Sequence, residues 1–308
     1  MHVLIVMAMG LYSERLRRNT FRRLGIIADY ALLSGTTLRL QYADGRTDQI
    51  DIGGANNEPG GAMHQLLQQY DAVLVYGDGR LSGAQANTRT ANWTRFSPCP
   101  PIVYHRICLT SQSISATGVT LPSDFPIRVV DASSLPASAM ADAYRLQIDG
   151  TIDYNGIKMN GFAVRFLREN RTAYLPCFHV PQTSAHDATP CWLYRLNLTQ
   201  HNALGANGEI LALPVSEDMA FPNDVFAAYR YKHTYWLPSF SNGYLTSFWW
   251  LTEPILDFWT LYGLKLVGIP VPHKVPLLFA IDDALTVPSS LAYIPRYADW
   301  GKVAYTTY

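Results

Sequence analysis

The chain has 308 residues, 48% of them apolar and 16% charged, a composition that fills buried cores and excludes a largely disordered polymer. Lys and Arg (24) balance Asp and Glu (24), so the net charge is zero and no global field draws the chain to nucleic acid or to an anionic membrane surface. Recognition must then rest on shape and local chemistry, and the 19 Tyr and 7 Trp are residue types that cores and contact surfaces share.

In chain order, "MHVLIVMAMG" is too short to span a bilayer and lacks the charged n-region and small-residue cleavage site of a signal peptide. It reads as a first core strand, and a virion or cytoplasmic location is expected. Ser13 to Tyr30 reads as a helix carrying Arg15, Arg17, Arg18, Arg22 and Arg23, a basic face that suits solvent or a subunit contact. "TLRLQYA" and "TDQIDI" alternate as strands around the turn "DGR", and "GAMHQLLQQY" is helical. "DAVLVYG" is apolar throughout and follows a helix, the pattern of a central parallel strand. "PPIVYHRICL" is the next candidate strand. Residues 1–115 are thus expected to form an open α/β sheet of Rossmann or flavodoxin type, whose sites lie at the carboxyl ends of strands.

From 116 to 240 the texture shifts to short alternating runs split by turn residues, among them "YRLQIDG", "TIDYNGIKMNGFAVRF", "TAYLPCFHV", "CWLYRLNL" and "EILALPV". With Asp149-Gly150 and Asn155-Gly156 as hairpin dipeptides, this region reads as mostly antiparallel β, either a domain or an insertion in the first sheet. Residues 241–308 open with "TSFWWLTEPILDFWTLYGLKLVG". This run reads as a buried helix, not a membrane span, because Glu253, Asp257 and Lys265 interrupt it. A β-α-β segment follows.

Candidate chemistry is sparse. Tyr76 to Gly83, "YGDGRLSG", is a glycine-rich strand end in which Gly77, Asp78, Gly79 and Arg80 could cradle an anion, but the spacing fits neither phosphate-loop motif and a sharp surface turn is the better reading. His186, Asp187 and Cys191, with Cys177 and His179 upstream, are soft-metal ligand types at irregular spacing. Cys108 follows a strand but lacks the flanking glycines of a nucleophile elbow. It is read, like Cys99, Cys177 and Cys191, as a reduced thiol.

The C-terminal run "LLFAIDDALTVPSSLAYIPRYADWGKVAYTTY" resembles the opening of the polysaccharide deacetylase family, in which a strand ends in Asp-Asp and a loop, helix and strand follow. The preceding α/β portion, with its "YDAVLVYG" strand and late apolar helix, resembles the amidotransferase-like domain that accompanies some of these enzymes. The resemblance implies Asp282 as a base on metal-bound water, Asp283 as a ligand of a divalent metal, and an acetylated carbohydrate as substrate. It also implies two histidines downstream, and no His follows His273. Without them the Asp pair reads as a loop device, with Asp283 capping the following turn. The expectation is therefore a non-catalytic structural and interaction component of an oligomeric assembly, such as a phage tail or baseplate protein, with protein subunits as partners and no cofactor. A degenerate metal-dependent deacetylase and a small-ligand binding module are the alternatives.

Overall fold

The structure is a computed structural model, and it describes residues 1–7, 21–22, 24–77, 88–105, 107, 109–129, 162–175, 191–192, 194–215, 221–237, 239–240 and 259–271. Its frame is an 11-stranded mixed sheet. The strands are β1 (His2–Met7), β2 (Ile27–Ser34), β3 (Thr37–Gln41), β4 (Thr47–Asp51), β5 (Ala72–Tyr76), β6 (Ile102–His105), β7 (Phe162–Phe166) and β8 (Arg171–Leu175). Then come β9 (Cys191–Trp192), β10 (Tyr194–Arg195), β11 (Gly208–Val215), β12 (Val225–Phe226), β13 (Ala228–Tyr231), β14 (Thr234–Leu237) and β15 (Ser239–Phe240). Across the sheet the order is β4-β3-β2-β1-β5-β6-β14-β13-β11-β7-β8, while β10 pairs with β12 and β9 with β15 outside it.

β2, β1, β5, β6 and β14 run parallel to one another, and the pairings on either flank of this set are antiparallel. β1 and β5 are buried on both faces, which is why they read as unbroken apolar runs. β3 instead alternates buried Leu38 and Leu40 with outward Arg39 and Gln41, as a strand covered on one face does. The residue range 116–240 contributes β7, β8, β11, β13 and β14 to the same sheet, and its pairing is antiparallel until β14 meets β6.

Strand alternation sorts the core into two layers. Val3, Ile5, Met7, Leu74 and Tyr76 pack on one face with Trp259, Tyr262 and Leu264 of the helix 259–266. On the other face Leu4, Val6, Val75, Tyr104 and Trp236 meet Met63 and Leu67 of the helix Ala62–Leu67 and Trp93 of the 3-10 segment Arg89–Arg95. Asn57 ties that second layer together, accepting the Trp93 indole N–H at 2.7 Å and donating to the Arg89 carbonyl at 2.9 Å. Among the described residues no helix is long and apolar enough to cross a membrane.

The helix expected over Ser13 to Tyr30 is corrected in its second half. The helical turn at 21–22 stops at Gly25, whose φ is +67°, and the Ile26 N–H closes on the Phe21 carbonyl at 3.1 Å. This is the left-handed glycine stop of a helix C-terminus, and β2 starts two residues later. "IIADYALL" misleads because its apolar residues satisfy a helical spacing as well as an alternating one. The late helix is seen over 259–266; the earlier part of that expected helix, the strands read at 130–161 and the β-α-β segment after 271 lie outside the described residues.

On the antiparallel flank, Glu209 of β11 accepts from Arg168 at 2.8 and 2.6 Å and from Arg230 of β13 at 3.0 Å. These contacts, led by the Arg168 hydrogen bond, hold its carboxyl down to about 2 against the cost of burial. A carboxyl depressed in the folded state stabilises above its unfolded pKa, and that contribution disappears as pH falls from about 4.5 through the folded value. Glu209→Gln should therefore lower stability at neutral pH by about 1 kcal/mol, the discount for partial exposure included. The gap between variant and parent should close by about pH 2 in urea titrations, and a gap independent of pH would refute the assignment.

Candidate functional site

The site expected from the sequence would lie at the carboxyl end of the parallel strands. Met7, Tyr76, His105 and Leu237 stand in one row there, because Met7 is in register with Tyr76, Tyr76 with His105 and His105 with Leu237. Parallel register partners share a face, so all four side chains point toward the helix 259–266. Gly77 follows directly, and its N–H donates to the His105 carbonyl at 2.7 Å, extending the ladder by one step.

This row is packed shut. The Tyr76 and His105 rings stack with centroids 4.6 Å apart and planes within 4°, and His105 has no exposed surface. The Tyr76 hydroxyl shares a 2.7 Å hydrogen bond with the Thr260 hydroxyl, itself fully buried. The helix comes this close because residue 263 is glycine: a Cβ there would lie 2.9 Å from Val103 Cγ1 and 3.3 Å from His105 Nε2. Further along the helix, Tyr262 packs edge-on against Phe166 at 4.7 Å, and Lys265 pairs with Glu169 at 2.8 Å. Burial, then the nearby Glu169 carboxylate, push the Tyr262 phenol well above its ordinary range. Its hydroxyl is buried without a hydrogen-bond partner among the described residues.

Gly77 is the member of the expected anion loop that the structure places, and it is buried at the strand end; Asp78, Gly79 and Arg80 lie outside the described residues. So do Asp282 and Asp283, Cys108, Cys177, His179, His186 and Asp187. Among the described residues no group of three or more His, Cys, Asp or Glu is gathered in a way that would hold a metal ion. Cys99 is a free thiol pushed up to about 12 by burial, and a thiol so rarely ionised is a poor nucleophile.

Sequence reasoning missed the groups packed at this strand end. His105 closes an otherwise apolar strand, and that single polar residue in "IVYH" was the available signal. Thr260 gave none, since its hydroxyl matters only once the helix lies over β5. A second polar cluster was also missed: Asp29 of β2, 1% exposed, accepts from Tyr70 Oη at 2.9 Å, His2 Nε2 at 2.8 Å and the Ala43 N–H at 2.7 Å. Reading residues 27–30 as helix hid it, because these donors come from strands and turns that only the sheet assembles.

The two tyrosines of this region should separate by measurement. Tyr76→Phe removes a satisfied buried hydroxyl and is expected to cost about 1 kcal/mol, whereas Tyr262→Phe removes an unsatisfied one and should be neutral or stabilising. Chemical unfolding of both variants checks this, and a large loss in Tyr262→Phe would mean that its hydroxyl has a partner. Comparison of the chain with protein-family models and with curated proteins finds no match.

Proposed function

We propose that the chain is a structural and interaction component of a larger protein assembly, of the kind a phage tail or baseplate contains, and that its parallel half is a Rossmann- or flavodoxin-type unit turned to packing. The order β2-β1-β5-β6 supports the fold reading, since the strands succeed one another in opposite directions on the two sides of β1. In such sheets the ligand sits at the carboxyl ends beside that reversal. The observation that supports the functional reading lies beside this position: among the described residues, Tyr76 and His105 stack under Thr260 and Gly263. The edge strand β4, "TDQID", is polar and exposed, a composition that discourages growth by strand pairing. Subunit contacts would then run through faces and side chains.

A second reading is favoured by one feature, the Asp282-Asp283 pair closing an apolar run. In a polysaccharide deacetylase-like protein Asp282 would act as base and Asp283 as ligand of a divalent metal. A metal held for hydrolysis takes three protein ligands, and the downstream histidines that the family uses are not among these 308 residues.

Light scattering on the purified chain, joined to acetate release from N-acetylglucosamine oligomers with added zinc, distinguishes the two. A discrete oligomer with no acetate release, unchanged in Asp283→Asn, is expected. A monomer at every concentration would overturn the assembly reading, and zinc-dependent release abolished by Asp283→Asn would establish the second.

A further inference from the structure

A cleft of about 490 Å³ lies outside the 11-stranded sheet, bounded by Leu121, Pro122 and Phe125, by the run Ile127 to Val129, and by Asn197 and Gln200 at the start of the helix Leu198–Leu204. The run at 127 is the edge of a small sheet. Ile127 pairs antiparallel with Leu196, and β10, which leads into Leu196, pairs on its far side with β12. The Arg128 N–H donates to the Arg195 carbonyl at 2.9 Å, and the Asn197 N–H to the Pro126 carbonyl at 2.7 Å. In that pattern the two residues between, Ile127 and Leu196, turn their own N–H and C=O away from each other. Leu196 gives its N–H to the Asp224 carbonyl at 2.8 Å, whereas no hydrogen bond among the described residues uses the Ile127 N–H or C=O. Both groups therefore stand at an open strand edge, where a further strand can add.

The two faces of this edge differ. Ile127 and Leu196 are buried in one core layer, and Leu121 and Val129 are partly buried against the same layer, so this face is apolar. Alternation puts Arg128 on the other face, where it is exposed. Its Nε donates to the Leu196 carbonyl at 3.1 Å. Its Nη2 stands 3.4 Å from Asp224, a carboxylate that Arg195 already holds through Nε at 2.8 Å and Nη2 at 2.7 Å. Arg128 is thus the looser partner of that acid. A guanidinium carries five N–H donors in a fork that matches a carboxylate, and these contacts leave Arg128 with donors to offer at the cleft.

We propose that this edge takes up an extended segment of a partner protein in which acidic and apolar residues alternate. The segment's backbone would pair with the Ile127 N–H and C=O, its apolar side chains would extend the face of Leu121 and Val129, and a carboxylate on the other face would meet Arg128. Side chains of a strand point alternately to its two faces, so one alternating sequence satisfies both at once. The inference rests on the reading of the chain as an interaction component, and it adds to that reading a backbone contact at a short edge. The polar edge β4 disfavours such an addition, whereas here apolar surface lies beside the open amide.

The experiment is fluorescence anisotropy on the full chain with labelled, end-blocked hexapeptides that alternate Glu with Val, Leu or Phe. Their Lys-for-Glu counterparts and analogues N-methylated at every internal amide are the controls. At least one Glu peptide should bind, and its Lys counterpart and its N-methylated analogue should each bind ~tenfold or more weakly. Arg128→Gln should erase the preference for Glu over Lys. The N-methylated peptides use the unaltered chain, so they decide the matter alone if Arg128→Gln fails to fold. No binding of any Glu peptide, equal binding of the N-methylated analogue or of the Lys counterpart, or a Glu preference that survives in Arg128→Gln would overturn the assignment. A discrete oligomer that takes up no peptide sinks this edge alone, whereas a monomer that binds the Glu peptide keeps the edge and sinks the assembly reading.

Discussion

The sheet is continuous because β6 pairs with β14. Four residues on each side, Ile102 to His105 and Thr234 to Leu237, form the seam between the parallel half and the antiparallel half. Its register is dictated by side chains: Tyr104 stacks on Trp236 at 4.3 Å in one layer, and His105 and Leu237 face the helix 259–266 in the other. A slip of one residue would exchange these sets between faces, sending Trp236 toward the close-packed glycine of the helix and Leu237 toward Tyr104. The seam is locked at its start as well, where the Ile102 N–H donates to the His233 carbonyl at 3.0 Å and the His233 ring reaches the Trp93 carbonyl at 3.2 Å. Both core layers inherit their alignment from these few contacts.

The two ends of the parallel strands have been given different contents. At the carboxyl end, polar side chains among the described residues turn against each other, as in the Tyr76 hydroxyl on Thr260. At the amino end a charged side chain, Asp29, organises donors from three separate segments. An α/β sheet usually shows the reverse, with the polar work at the carboxyl end. Here the helix 259–266 claims that end, and Gly263 is the residue that lets it do so.

Much of the frame was legible from alternation alone. β5 declared itself as an unbroken apolar run after a helix, and β3 and β4 as an alternating pair around "DGR". β2 was hidden by a sequence that fits two periods, with Gly25 as the overlooked stop. β14 was unmarked: "TYWL" is short, and its place beside β6 depends on a partner far away in the chain, which no local pattern records. The candidate site divides in the same way. Gly77 could be placed at a strand end from its neighbours, whereas His105 reaches it only through the order of strands, and Thr260 and Gly263 reach Tyr76 and His105 only through the fall of a distant helix.

That seam also has a bearing on how the molecule comes together. Trp93 and His233 touch across a separation of 140 positions in the chain, so this contact closes a very long loop, at an entropy cost that grows with its length. High contact order of this kind slows folding. During synthesis the edge of β6 stays without β14 until that strand has been made, which leaves "IVYH" open to mispairing on the ribosome.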